Sequence, residues 1–331
     1  MVMDDVTLDA VDRGLVHALR IDGRAPFSRI GEVLGVSENT VARRYRRLRS
    51  SGVLRVAGTV NGTRLGYTSW TIRLRCTPDA AGSIAGVLAA RDDTSFVHLL
   101  SGGTEISCNT QTRSADERDA LLLEKLPRTR RVVGVSAHLL LRSYALPGTW
   151  LGPAVLSDDQ AARLRPPPPE DGTQPPEDGT QPIEVGAADR ALLAALAADG
   201  RAGYADLAKA TGWSDSTVRR RAEALRAAGV LRYQVDIEPA RLGFHAEARL
   251  WMAVRPSALQ DVATAVAAHP EVSFVALTTG PTNLVAVVNC RDTEDLARYL
   301  TERVASLDGI ATLESAPVIR TVKRAGPPLP L

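Results

Sequence analysis

The chain repeats itself. Asp12-Arg13 returns as Asp189-Arg190, Asp22-Gly23-Arg24 as Asp199-Gly200-Arg201, Thr40-Val41 as Thr217-Val218, and Gly52-Val53-Leu54-Arg55 as Gly229-Val230-Leu231-Arg232, each after a shift of 177 positions. From Ser95-Phe96-Val97, which returns as Ser273-Phe274-Val275, the shift becomes 178 and persists to the pair Arg142 and Arg320. A constant shift with one inserted residue marks a duplicated unit of roughly 140 residues. That period is too long for a solenoid, so each copy is expected to fold as a unit. One chain then carries what many proteins assemble as a symmetric dimer.

A break separates the copies. Arg163 to Pro182 reads Pro-Pro-Glu-Asp-Gly-Thr-Gln twice, at 168–174 and 175–181, after a run of prolines. It has too few apolar residues for a core and favours extended polyproline geometry, as a spanning linker should. Ahead of it, Ser157 is placed to cap a short helix over Asp158–Leu164.

Each copy divides again. In the first, Leu8, Val11, Leu15, Ala18 and Leu19 follow helical spacing, a short helix is expected from a cap at Ser28 to Leu34, and Gly35-Val36 makes a turn. Ser37 caps a third helix that stops at Gly52. In the second copy the corresponding turn is Gly212, the cap Ser214 and the stop Gly229. The rest of each copy alternates β-α-β-β-α-β, the split βαβ arrangement with helices on one face of an antiparallel sheet. The fold class is therefore α+β, with the pair of domains duplicated.

Helix, tight glycine turn and capped second helix describe a helix-turn-helix. At about 100° per residue, Val41, Tyr45 and Leu48 form one narrow core stripe on the third helix. Asn39, Thr40, Arg43, Arg46 and Arg47 cluster opposite, flanked by Arg44. Guanidinium forks and an amide near a helix N-terminus suit phosphates and base edges in a major groove. Ser37, Asn39, Thr40, Arg43, Arg44, Arg46 and Arg47 are thus candidate DNA contacts, with Arg43 and Arg47 foremost and Arg44 placed to clamp phosphate or its own domain. The second copy offers Ser214, Ser216, Thr217, Arg219, Arg220 and Arg221, the last placed, like Arg44, to clamp phosphate or its own domain. There Arg46 is replaced by Glu223 and Arg47 by Ala224. Loss of phosphate contacts weakens binding, so the N-terminal head is expected to bind DNA more strongly.

Composition restricts the alternatives. The apolar fraction of 44% is ordinary, and the net charge of +2 confines any basic surface to a local patch. No apolar run reaches the ~18 residues that span a bilayer, and the acidic first dozen residues do not resemble a signal peptide. A cytoplasmic protein with no membrane partner is expected. The three cysteines, Cys76, Cys108 and Cys290, have no metal spacing and suit small apolar strand positions. No cofactor and no metal are expected.

These residues resemble the Lrp/AsnC family of bacterial and archaeal regulators. The resemblance lies in Asp12-Arg13, Asp22-Gly23-Arg24, Ser37 through Arg44, Leu48, Gly52-Val53-Leu54 and Leu65-Gly66-Tyr67, and again in Ser214 through Arg221, Leu225, Gly229-Val230-Leu231 and Leu242-Gly243-Phe244. It implies a winged helix-turn-helix followed by a ferredoxin-like effector domain in each copy. The expected organisation is 1–60 and 185–237 for the heads, 66–146 and 243–325 for the effector domains, and 147–184 for the linker region. It also implies double-stranded DNA as partner, a small-molecule effector such as an amino acid, and further homo-oligomerisation through the effector domains. The family's effector turn reads Gly-x-x-Asp. The matching residues are Gly102, Thr104 and Glu105 around Gly103, and Gly280, Thr282 and Asn283 around Pro281, so neither copy keeps the aspartate. By the same resemblance, Val53–Val56 and Leu231–Val235 should pair as a hinge between the heads.

Two other readings share the architecture. Siroheme decarboxylases resemble it and would place His and Arg near a porphyrin. His98 lies on the second effector strand, but its counterpart in copy two is Ala276, and the five histidines make no metal spacing or nucleophile motif. A sensor whose heads do not bind DNA would suit copy two alone. The reading favoured is a DNA-binding regulator and not an enzyme.

Overall fold

In a computed structural model, residues 7–126, 128–146, 150, 152, 155–166, 184–325 and 329 are described. Most of the proline-rich linker, 167–183, lies outside them. In chain order the elements are α1 (Ala10–Ile21), α2 (Phe27–Leu34), α3 (Glu38–Ser50), β1 (Leu54–Val60), β2 (Thr68–Cys76), α4 (Pro78–Ala89), β3 (Thr94–Leu100), β4 (Glu105–Thr112), α5 (Ala115–Asp119), β5 (Val132–Ala145) and α6 (Asp158–Leu164). The second copy follows with α7 (Ala187–Ala198), α8 (Tyr204–Thr211), α9 (Asp215–Ala227), β6 (Leu231–Ile237), β7 (Ala246–Val254), α10 (Leu259–Ala267), β8 (Val272–Thr278), β9 (Leu284–Cys290), α11 (Thr293–Arg298) and β10 (Ile310–Lys323).

The chain divides into two compact units that cut across the repeat. Met1–Leu65 joins Leu151–Leu242, and Gly66–Trp150 joins Gly243–Leu331. Heads pack with heads, and effector halves with effector halves.

In the head unit, β1 and β6 pair antiparallel from Leu54↔Ile237 to Val60↔Leu231. Ala57 meets Gln234, its own repeat counterpart, so the ribbon is pseudo-symmetric about that point. Leu15, Leu19, Ile30 and Leu48 are fully buried in the first head, and Leu192, Leu196, Val218 and Leu225 in the second. Helix α6 has the capping box of Ser157 and Gln160 and lies on the first head. Gln160 Nε2 donates to the Val33 carbonyl at 2.8 Å, and His17 Nδ1 accepts from the amides of Val155 and Leu156 at 3.1 and 3.2 Å.

In the effector unit, eight strands close a barrel in the order β10-β3-β4-β2-β5-β8-β9-β7. Each copy supplies four consecutive strands. The halves meet at two seams, β10 against β3 and β5 against β8, in registers related by the same shift of 178: Thr321↔His98 corresponds to Ser143↔Ala276. Strand alternation sends Ile72, Leu74, Ile106 and Cys108 towards α4, and Leu250, Met252, Ala286 and Val288 towards α10. Leu100, Trp251, Phe274, Val285 and Val287 form a separate cluster on the opposite faces.

Two local expectations change. Ser28 lies inside α2, whose N-cap is Pro26 with no side-chain hydrogen bond. The second effector helix of each copy passes from α into a single π turn, Ala120–Lys125 and Tyr299–Val304. Helical spacing of apolar residues does not resolve one extra residue per turn.

Candidate nucleic-acid interface

The third helix of each head begins at its serine. Ser37 Oγ accepts from the Thr40 amide at 3.2 Å, and Ser214 Oγ from the Thr217 amide at 3.3 Å. Both hydroxyls therefore satisfy the first turn, which otherwise leaves amides without partners. The preceding turns need a left-handed residue, supplied by Gly35 at φ 67° and Gly212 at φ 74°. The core stripes are those the periodicity indicates: Val41, Tyr45 and Leu48 are buried, as are Val218, Ala222 and Leu225. The opposite faces carry exposed Asn39, Arg43, Arg46 and Arg47, and exposed Ser216, Arg219, Arg220 and Glu223.

The arginines separate by partner. Arg44 ion-pairs with Asp9 and, at 3.3 Å, with buried Asp12. Arg47 Nη2 donates to the same Asp12 carboxylate at 2.5 Å while half of its side chain stays exposed. The hydrogen bond to Asp9 holds the Arg44 pKa above its ordinary value, so the guanidinium is permanently charged. In the second head Arg221 forks onto Asp189 at 2.5 and 2.8 Å, and that pair lowers the Asp189 pKa. Arg44 and Arg221 thus brace the first and third helices of their own heads. Among the described residues, Arg43, Arg46, Arg219 and Arg220 make no ion pair. Arg46 Nε donates to the Ala42 carbonyl of its own helix, and Arg219 lies 4.8 Å over the Tyr204 ring. Asp9, Arg43, Arg44 and Arg47 line a depression of about 380 Å³, with three cations to one anion.

The repeated Asp-Gly-Arg motif joins the heads. Arg24 donates to the carbonyls of Gly200 and Ala202 at 2.8 and 3.0 Å, and Arg201 to those of Gly23 and Ala25 at 2.7 and 3.0 Å. Each guanidinium also lies on aromatic rings, Arg24 over Tyr204 at 4.9 Å and Arg201 over Phe27 at 4.3 Å. Each aspartate receives the last-turn arginine of the other head's third helix: Arg49 reaches Asp199 at 2.7 Å and Arg226 reaches Asp22 at 3.1 Å. The glycine lets the loop approach the hinge ribbon. A Cβ on Gly200 would stand 3.0 Å from the Val56 oxygen, and the Gly200 amide donates to that oxygen at 2.8 Å. From sequence, Asp-Gly-Arg marks the repeat and the family resemblance, with no contact assigned to it. Its signal was the recurrence, in both copies, of an acid, a glycine and a base in a loop without a groove-facing role.

The effector turns are engaged within the protein. Glu105 opens β4, is buried, and accepts from Arg73 Nη2 with both carboxylate oxygens at 2.8 and 2.9 Å. Arg73 reaches Glu314 as well, at 2.5 Å. Asn283 is tied by both side-chain atoms to the Val254 backbone at 2.8 Å. Thr104 Oγ1 donates to the Ser101 carbonyl, and the Thr282 carbonyl accepts from Thr278. Gly102 and Gly280 have φ of 74° and 100°. His98 is buried beside this region with Nδ1 3.1 Å from Thr321 Oγ1. Burial, with the nearby charges of Arg249 and Arg324, lowers its pKa to about 3. It stays a neutral imidazole. Among the described residues no three His, Cys, Asp or Glu side chains gather as a metal site, and no helix is long and apolar enough to cross a membrane.

Comparison with known proteins follows the same division. A model described as the AsnC-type helix-turn-helix domain matches residues 8–49 and 187–226, and one described as the Lrp/AsnC ligand binding domain matches 247–328. An uncharacterized HTH-type transcriptional regulator of Pyrococcus abyssi (strain GE5 / Orsay) is 32% identical over 139 residues, spanning 42% of this chain and 87% of that protein. The HTH-type transcriptional regulator LrpA of Pyrococcus horikoshii is 29% identical over 136 residues, spanning 41% of this chain and 96% of its own length. A relative aligned over most of its length therefore accounts for about one copy. Over 97% of this chain and 94% of the other, the fold resembles the crystal structure of the siroheme decarboxylase NirDL, with a TM-score of 0.61 and 16% sequence identity.

Proposed function

From membership of the Lrp/AsnC family of transcriptional regulators, to which this chain belongs, we propose that it acts on DNA as a single-chain pseudo-dimer with unequal heads. The observation that carries this reading is the reciprocal clamp of Arg24 and Arg201. It holds two third helices in one pseudo-symmetric pair, the arrangement that reads two half-sites of a duplex. Arg43 and Arg46 are the groove-facing cations of the first head, with Asn39 and Thr40 near its helix N-terminus. Arg47 joins them when phosphate competes with Asp12 for its guanidinium. The second head presents Arg219 and Arg220 beside Glu223, so it is the weaker partner and the operator is an asymmetric pair of half-sites.

The finer part of the reading is the effector. Arg73 and Glu105 set a cation and a carboxylate side by side at the first turn, the pair of charges a zwitterionic amino acid requires, once Glu314 yields its share of Arg73. Gly102, Thr104, Gly280, Thr282 and Asn283 complete the two turns proposed for effector contact. Differential affinity of the effector for two arrangements would change DNA binding. We hold that the protein is not an enzyme. His98 is buried, neutral and bonded to Thr321, and its copy-two counterpart is alanine. A tetrapyrrole absorbance band in the purified protein would favour the decarboxylase reading instead.

Fluorescence anisotropy on the duplex upstream of the protein's own gene, with a scrambled duplex as control, tests the regulator. Arg43→Ala with Arg46→Ala should weaken binding to the upstream duplex, narrow its preference over the scrambled one where a base contact is lost, and reduce the salt slope by up to about 2 where phosphate contacts are lost. Arg220→Ala should reduce the slope by about 1 and leave the preference in place. Equal losses in both would remove the asymmetry of the heads.

A further inference from the structure

A barrel closed by two copies of one repeat brings equivalent positions face to face near its pseudo-twofold axis. Positions 71 and 249 are one such pair, related by the shift of 178, and Arg249 Nη2 donates to Thr71 Oγ1 at 2.9 Å. Positions 73 and 251 are another, with the Arg73 guanidinium 4.1 Å from the centre of the Trp251 ring. In a homodimer such positions would hold identical residues. Here each pair is unlike and complementary: a hydroxyl accepts from a guanidinium, and a guanidinium lies on an indole.

The surroundings have diverged in the same direction. Arg249 is 1% exposed, and its hydrogen bonds go to neutral side chains, Thr71 and, at 3.3 Å, Asn109 Oδ1. The counterpart of Asn109 is Val287, so this acceptor exists only in copy one. Arg73 bridges Glu105 of its own copy and Glu314 of the other, whose counterparts are Asn283 and Ser136.

We propose that this seam is heterospecific: the first effector half is built to take the second half as its partner and to reject its own like, with Thr71/Arg249 and Arg73/Trp251 as the specificity-determining pairs. Two second halves would set Arg249 against Arg249, two buried cations without Thr71 or Asn109 to accept from them. Two first halves would set Thr71 against Thr71, leaving the guanidinium's space empty, and Arg73 against Arg73 in place of an indole face. Specificity here comes as much from the repulsion in the wrong pairs as from the attraction in the right one. The chain closes on its own second half and does not mix through this face with like halves of other chains.

The intact chain can be made to carry either wrong pair at the axis. Thr71→Arg creates the pairing of two second halves, and Arg249→Thr that of two first halves. Thr71→Arg is expected to lower the Tm by at least about 5 °C, the scale of leaving a buried charge unpaired, and Arg249→Thr by a few degrees through the space the guanidinium vacates. Transposing the pair, Thr71→Arg with Arg249→Thr, should recover at least half of the summed loss. Arg249→Met in the Thr71→Arg background separates charge from bulk, since it removes the facing cation and keeps its volume. If Thr71→Arg is insoluble, the recovery is read as return of soluble, folded chain in the double variants. A Thr71→Arg chain as stable as wild type, losses that add in the transposed chain, or rescue by neither facing variant would overturn the proposal.

Discussion

Arg24 and Arg201 cross one interface in opposite directions, each donating two hydrogen bonds to the backbone of the loop that carries the other. Residues 177 positions apart thus make the same contact twice. The contact joins the loop between the first and second helices of one head to the same loop of the other. Because carbonyls accept and aromatic rings cover the guanidinium faces, the clamp needs no carboxylate at its centre. Arg49 with Asp199 and Arg226 with Asp22 extend it towards the C-terminal ends of α3 and α9.

That arrangement makes half-site spacing a property of the clamp. Arg24→Ala with Arg201→Ala should leave affinity for a single half-site within about twofold of wild type. Affinity for a two-half-site duplex should fall by about tenfold or more, as the effective concentration of the second head drops. Anisotropy on duplexes with one and two half-sites reads the difference. Equal losses on both duplexes would mean that the clamp acts on each head alone.

Arg43 and Arg44 are neighbours with different tasks. Arg44→Ala leaves Asp12 with Arg47 as its ion-pair partner and removes the ion pair to Asp9, so the Tm should fall by several degrees. Arg43→Ala is exposed and unpaired among the described residues, so its Tm should stay within about 1 °C of wild type while DNA affinity falls. Thermal melting and anisotropy on the same two proteins separate the roles. A Tm loss in Arg43→Ala as large as that in Arg44→Ala would refute the division.

The buried imidazole makes the effector unit sensitive to acid. His98 has a folded pKa of about 3 against 6.5 in the unfolded chain, chiefly through burial. Its contribution is complete above the unfolded value. It declines as pH falls below 6.5, because the unfolded chain takes up a proton that the folded chain excludes. Burial lowers the pKa of His17, His138 and His269 too, so they act with the same sign. Between about pH 7.5 and about pH 5, His98 alone should account for roughly 2 kcal/mol of lost stability. Urea unfolding at the two pH values, for wild type and His98→Asn, measures this. An unchanged pH dependence in His98→Asn would show that the imidazole is protonated in the folded state.

Much of the head was legible from local sequence. The stripes of Val41, Tyr45 and Leu48, and of Val218, Ala222 and Leu225, follow from helical period alone, and the caps at Ser37 and Ser214 from short-range hydrogen bonding. The duplication was legible too, and the pairing of β1 with β6 followed from the family resemblance. Arg44, at the flank of the wheel, was already set apart as a clamp on phosphate or its own domain, but Arg47 was not separable from Arg43, because what divides those two is Asp12, more than thirty residues away on another helix.

What the sequence by itself determined is the set of elements, their repetition and the family to which they belong, since capping, turn chemistry and periodicity act over a few residues. Only the tertiary structure decided that the effector halves close one eight-stranded barrel, that Asp-Gly-Arg is the joint of the heads, and that Thr71 meets Arg249. These depend on which surfaces come together when apolar faces are buried. The same arginine is a DNA contact, a brace or a seam according to the groups that close packing places around its guanidinium.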